Sequence, residues 1–279
     1  MNDSTCRARH GNVVRHVTTL AFALASCVPA HALIAQQQAP VAAPWRVTAG
    51  VRARAERWSW FDEGTAGGYW YTGALGRLGV EREARPLGFR FELAMPVLLH
   101  LPDDAVRPAP QGELGLGGSH AASNFGRAHV AGLFPKNAHV RWRRHWLRTT
   151  DDVRVGRFEF DDGTEATPSS ETLGAVKRDR VAQRLLGTFG WSHVGRSFDG
   201  AHWSRTRDGR NVTALAAAPT RGVFQADGWG TLPVAVAYGA YTRPMLASRA
   251  DARVFALQYS DFRDAPVKVD ARPLDARQA

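Results

Sequence analysis

The stretch LGFRFELAMPVLL, residues 87–99, alternates with a strict period of two. Leu87, Phe89, Phe91, Leu93, Met95, Val97 and Leu99 fall on one side, and Gly88, Arg90, Glu92, Ala94 and Pro96 on the other. Successive side chains of a strand point to opposite faces, so this pattern predicts an extended strand with one wholly apolar face and one charged or small face. At about 3.3 Å per residue it exceeds most strands of soluble proteins and suits a tilted membrane strand. Leu98 breaks the alternation, and Pro96 is expected to mark a bulge or the strand's end.

The same rhythm extends outward from this segment. Val47, Ala49, Val51, Ala53 and Ala55 alternate with Thr48, Gly50, Arg52, Arg54 and Glu56, and Trp58 and Trp60 follow. Tyr69-Trp70-Tyr71 opens another strand, in which Ala74, Leu78 and Val80 oppose Arg77, Gly79 and Glu81. Aromatic residues at strand ends fit an interfacial girdle. Further strands are expected over 127–134, 137–147, 153–160, 188–203, 211–218, 232–242 and 252–262, with a tight hairpin at Asp208-Gly209. The expected fold is therefore an all-β, antiparallel, up-and-down transmembrane barrel, of about nine or ten strands, with long connections such as 103–125 on one rim. One segment departs from it. Residues 170–186 carry helix formers, with Ser169 or Ser170 as N-cap and Gly187 as the stop, and predict a short helix folded into the lumen or lying at a rim.

The N-terminus reads as an export signal. Arg7, Arg9 and Arg15 precede a short apolar run, Val17 to Ser26, and Ala30-His31-Ala32 supplies a small-x-small cleavage pattern. Leu24-Ala25-Ser26-Cys27 also has the form of a lipobox, which leaves lipid modification at Cys27 as an alternative to cleavage near Ala32. Residues 1–32 are thus a signal peptide, 33–44 a low-complexity linker and 45–279 the β domain. Both cysteines, Cys6 and Cys27, lie in the signal, so the β domain contains no disulfide. Removing the three arginines and one aspartate of the first 32 residues leaves +8 of the total +10 charge. A basic exported chain suits an anionic partner: polysaccharide, lipid phosphate or small organic acids, and not nucleic acid.

Two blocks carry a family resemblance. Val153-Arg-Val-Gly-Arg-Phe-Glu-Phe160 before Asp162-Gly163, and Trp191-Ser-His-Val-Gly-Arg-Ser-Phe-Asp-Gly200, resemble the strands of the alginate export family of outer-membrane porins. The likeness runs from about Trp45 to Pro273. It implies an outer-membrane barrel of a Gram-negative bacterium, surrounded by lipid and lipopolysaccharide, with an Arg-lined lumen passing alginate-like polyuronates or small organic anions. It assigns pore-lining charge to Arg157 and Glu159 in the first block and to Arg196 and Asp199 in the second. The family's Gln is Phe158 here, and this chain offers about half the strands of the family's barrels. It closes on Asp275-Ala-Arg-Gln-Ala279 without a terminal aromatic, so the N-terminal portion of a larger barrel is expected.

Arg52, Arg54 and Arg90 share the polar parity of their strands and are expected to face the lumen, where guanidinium pairs bidentately with carboxylate. In a soluble sandwich the same residues would form a solvated face. Arg196 and Asp199 have opposite parity, so either a bulge intervenes or Asp199-Gly200 makes a structural kink. Arg184 and its neighbours 177–180 either narrow an anion pore or form a solvated helix face. Arg141-Trp-Arg-Arg-His-Trp146 reads as an aromatic girdle near lipid phosphates. Enzyme chemistry has no motif: His100, His120, His129, His139, His145, His193 and His202 form no H-E-x-x-H pair, and Asp161-Asp162-Gly163 reads as a turn. A passive channel needs no cofactor. The alternative is a secreted soluble β-sandwich that binds acidic polysaccharide.

Overall fold

The computed structural model describes residues 44–59, 68–106, 113–246 and 249–263. The signal peptide, the linker before Pro44, Trp60 and the tail after 263 lie outside the described residues. Ten antiparallel strands form one sheet: β1 (Arg46–Trp58), β2 (Tyr69–Arg82), β3 (Leu87–Leu99), β4 (His129–Ala131), β5 (Phe134–Trp146), β6 (Thr149–Phe158), β7 (Phe198–Arg207), β8 (Arg210–Pro219), β9 (Val234–Met245) and β10 (Ala250–Asp261). Nine of them follow chain order side by side, and the short β4 pairs with the end of β3. The sheet is open: β1 and β10 are its edges. No helix among the described residues is long and apolar enough to cross a membrane, which says nothing of a β-barrel.

Connections alternate in length. Tight turns join β2 to β3, β5 to β6, β7 to β8 and β9 to β10, all at one end of the sheet. Asp208 and Gly209 both have positive φ, 48° and 75°, which a two-residue hairpin of the primed type demands. Every long connection lies at the opposite end. The connections β3–β5, β6–β7 and β8–β9 fold back onto one face of the sheet and give it two hydrophobic cores. One joins Leu101, Leu116, Ala121 and Val194 of the connections to Tyr71, Leu75, Ala94, Leu98 and Phe134 of the wall. The other sets Phe160, Leu186 and Leu232 against Phe158, Phe198, Leu215, Val236 and Tyr238.

The register keeps parity between β2 and β3, and a bulge in β5 opposite Glu92 and Leu93 interrupts the ladder between β3 and β5. Gly79 faces Glu92 and Glu81 faces Arg90 on the loop-covered side, while Leu78 faces Leu93 and Val80 faces Phe91 on the bare side. Leu98, the break in the β3 pattern, is fully buried beneath the connections. Pro96 does not end β3; it falls in the gap between the β5 ladder, which stops at Ala94, and the β4 ladder, which starts at Val97.

Three elements differ from the sequence reading. β7 begins at Phe198, because 188–197 is drawn out of the sheet by hydrogen bonds to β1 and β5 described below. The helix expected over 170–186 is α2 (Glu171–Val176), capped by the Ser170 hydroxyl, continuing as one π-helical turn over Lys177–Val181. It ends early because the Asp161-Asp162 turn competes for its backbone: Asp162 accepts from Leu185 and Leu186 N–H through its carboxylate and from Gln183 N–H through its carbonyl. A third element, α1 (Gly115–Ser123), is Gly-rich and lacks a side-chain cap, so nothing in its propensity announces it. Its glycines permit close approach, since a Cβ on Gly117 would lie 2.4 Å from the Tyr69 ring.

Gly156 has φ +120°, and a Cβ there would lie 2.4 Å from the Ala138 carbonyl oxygen. Gly156→Ala is therefore expected to destabilise the folded wall by roughly 1–3 kcal/mol. Denaturant titration of the detergent-refolded variant tests this; an unchanged midpoint would contradict the packing.

Candidate functional site

The loop-covered face of β1–β6 carries a continuous charge ladder toward the tight-turn end. Arg46 donates Nε to Glu81 at 2.6 Å, Arg90 reaches Glu92 at 2.7 Å, and Arg77 bridges Glu92 at 2.7 Å and Glu159 at 2.5 Å. Asn137 donates to both Glu92 and Glu159 at 3.3 Å. Next to them Arg141 and Arg143 share Asp152, at 2.7 and 3.0 Å from Nε. The strand residues come together because they share one pleat parity on neighbouring strands, and Glu159 joins them from just beyond the end of β6. A cavity of about 260 Å³ opens among them, lined by six arginines (82, 85, 90, 141, 143, 154) and three glutamates (81, 83, 159). Arg154 makes no carboxylate pair among the described residues. Its guanidinium sits 3.3 Å from His202 Nδ1, donates to the Glu159 carbonyl at 3.3 Å and stacks on Phe158 at 4.9 Å. The cavity thus has surplus fixed positive charge, and the arrangement can attract a small anion.

Residues 187–197 cross this face as a strap. Arg52 donates to the carbonyls of Gly190 and Ser192, both at 2.7 Å, and Arg54 donates to that of Trp191. His193 nests over Gly73, where a Cβ would lie 2.2 Å from its ring, and pairs through Nε2 with Glu56 at 3.0 Å. Glu56 also accepts from Tyr71 at 2.9 Å. At the strap's far end Ser197 donates to the Lys136 carbonyl at 2.6 Å. His120 from α1 stands 5.8 Å from His193, centroid to centroid. His120 Nε2 and His193 Nδ1 are buried with no hydrogen-bond partner among the described residues. Burial holds the His120 pKa down at about 4. Burial, then the nearby Arg54 guanidinium, lowers that of His193.

The expected pore-lining residues separate into four groups. Arg52, Arg54, Arg90 and Glu159 lie with the loop-covered face, although Arg52 and Arg54 spend their donors on the strap. Arg184 is exposed and donates to the Arg180 carbonyl at 3.2 Å. Arg157 and Asp199 take the opposite parity, directly across from each other in the β6–β7 ladder. They form a bidentate pair, 2.6 Å at both contacts, while Arg157 also donates to the carbonyls of Pro135, Gly228 and Trp229. With every guanidinium donor group engaged, the pair locks strands together and does not line the charged cavity, whereas the sequence grouped both residues with the pore-lining charge. Arg196 lies over the Phe189 ring at 4.6 Å and the Phe198 ring at 5.5 Å, and donates to the Gly187 carbonyl.

The two sequence blocks consequently meet as one unit. Gly156 opposes Gly200 and Arg157 opposes Asp199 in adjacent strands. A Cβ on Gly200 would lie 2.2 Å from the Ala216 carbonyl oxygen, so both glycines mark close backbone approach. Sequence reasoning missed Arg77, Glu81, Arg141, Asp152, Arg154 and His193 as members of one cluster. Parity was the available signal for the strand residues, but which strands are neighbours is not written in any one of them. No family model, curated protein or solved structure matches the chain.

Two outcomes are expected. Arg157→Ala leaves Asp199 half-buried and unpaired, and should cost on the order of 2–4 kcal/mol in urea unfolding. For the histidines the folded pKa lies below the unfolded value of 6.5, so the unfolded chain takes up protons first. The stability they confer is complete above about pH 6.5 and lost as pH falls toward about 4. Protection factors of 187–197, which remove the intrinsic pH dependence of amide exchange, should fall over that window and become nearly pH-independent in a His120→Gln, His193→Gln double variant. Protection that stays constant down to pH 4 would count against the buried pair.

Proposed function

We propose that this chain forms the wall of an outer-membrane β-barrel that passes anionic solutes through an Arg-biased lumen. The observation that carries the reading is the bare face. Val47, Val51, Leu78, Leu87, Val155 and Val254 lie open on it, with Val51 84% and Val254 72% exposed. Across nine strands of about 33–46 Å each, spaced about 4.8 Å, this apolar sheet covers on the order of a thousand Å². Soluble monomers rarely expose more than a few hundred Å² in one patch. Hydrocarbon satisfies such a surface, and the strand ladders satisfy the backbone within it.

The opposite face supports the transport half of the proposal. Its charged cavity keeps more arginine than carboxylate, and such a field favours anions while the local carboxylates keep binding weak enough for release. The resemblance of the VGR and RSFDG blocks to the alginate export family agrees with this substrate class, polyuronate or small organic anion. Passage follows the solute gradient, so no cofactor takes part. The alternating tight and long connections are those of an outer-membrane barrel, with tight turns on the periplasmic side. The sandwich alternative requires a second layer packed on the bare face, and none is present among the described residues.

Because both native cysteines precede Trp45, single-cysteine scanning along β3 tests the central claim. In reconstituted protein, cysteines at 89, 91 and 93 should respond to lipid-soluble reagents only, and those at 88, 90 and 92 to aqueous ones. Aqueous labelling of both sets would sink the membrane reading. In planar bilayers the conductance should prefer anions, and Arg90→Glu with Arg154→Glu should reduce or reverse that preference. A cation-selective wild type would refute the transport reading.

A further inference from the structure

The bare face is not symmetric between its two ends. At the tight-turn end three arginines lie over tryptophan rings: Arg82 over Trp45 at 5.7 Å, Arg144 over Trp146 at 5.5 Å and Arg205 over Trp203 at 5.6 Å. The register sets them in rows. Trp142 and Trp203 flank Val153 in one row, and Arg144 and Arg205 flank Asp151 in the next. Trp146 and Arg207, one pleat beyond, flank Thr149, and Arg210 stands opposite Arg207. Arg243 on β9 completes the fringe, on the same parity and at the same end. Outward from the aliphatic middle of the sheet, an indole row (Trp142, Trp203) thus gives way to a guanidinium row (Arg144, Arg205), with Trp146 and Arg207 beyond it.

Charge on this fringe is one-sided. Asp151 is the carboxylate within these rows, held by Arg205 in a two-pronged pair, and Asp208 in the adjoining turn lies 3.7 Å from both Arg207 and Arg148. At the long-connection end of the same face the Arg157–Asp199 pair is neutral as a unit and Arg57 stands alone on β1. Resting on the membrane reading above, we propose that the tight-turn fringe is a binding belt for anionic phospholipid headgroups. Indoles settle at the level where acyl chains meet headgroups, which sets Arg144 and Arg205, one pleat beyond Trp142 and Trp203, at the phosphates. Guanidinium matches a phosphodiester bidentately, and stacking on indole holds its plane in the orientation that contact needs. A belt with six arginines (82, 144, 205, 207, 210, 243) against Asp151 and Asp208 keeps a positive net charge and discriminates by it. It therefore favours phosphatidylglycerol over zwitterionic phosphatidylcholine and fixes which end of the wall meets the anionic leaflet.

The full chain, reconstituted into vesicles of phosphatidylcholine with a minority of phosphatidylglycerol, is assayed with spin-labelled forms of each lipid. The expected result is a roughly three- to ten-fold preference of the motionally restricted shell for phosphatidylglycerol, weakening with salt. Replacing Arg144, Arg205 and Arg210 together by Gln should bring the ratio near one, whereas Arg57→Gln at the other end should leave it unchanged. Equal association of both lipids with inserted, folded wild type overturns the belt and leaves the membrane reading standing. Displacement of phosphatidylglycerol by inorganic phosphate also overturns it, because the site would then be one for soluble anions. Failure to enter vesicles of either composition overturns both.

Discussion

Pleat parity, carried from strand to strand by the register, is the constraint on which everything else in this structure depends. A one-residue slip of any strand would carry its arginines to the apolar side and its valines and leucines into the charge ladder. The ladder itself resists such a slip. Arg77 reaches both Glu92 and Glu159, and Arg46 and Arg90 share Glu81, so several strands are cross-linked through their polar side. Removing any one carboxylate leaves guanidinium groups crowded together, which is why the arginines come interleaved with glutamates.

The Gly156–Arg157 and Asp199–Gly200 pairs show a second way to hold a sheet. Small residues draw the strands and the backbone of neighbouring segments close on one side, and a bidentate ion pair fastens them on the other. The pair anchors more than its two strands, because Arg157 also gathers the carbonyls of Gly228 and Trp229 from the connection between β8 and β9. Such a multiply bonded guanidinium is costly to strip of any partner.

Much of the wall was legible in the sequence and most of the filling was not. The alternation in 47–55 and 87–99 gave both the strands and the correct faces, because period two is a local property of the chain. The arginines at 52, 54 and 90 were placed by the same logic. The strap was misread as strand: residues 188–197 have β-like composition, but Arg52, Arg54, Glu56 and Lys136, distant in sequence, take up their polar groups. The helix after Ser170 was foreseen at its start, where the cap is local, and misjudged at its end, where Asp162 intervenes from outside. Arg157 carried a warning in the sequence, since Val153 and Val155 share its parity, but its partner forty-two positions away is a fact of topology.

The nine adjacent strands also carry a consequence of counting. Each runs opposite to its neighbour, so β1 and β10, the first and last, point the same way. Were these two borders to zip together directly, the seam would be parallel in an otherwise antiparallel cylinder. A cylinder antiparallel throughout has an even tally, so closing this sheet in that way would take an odd number of further strands.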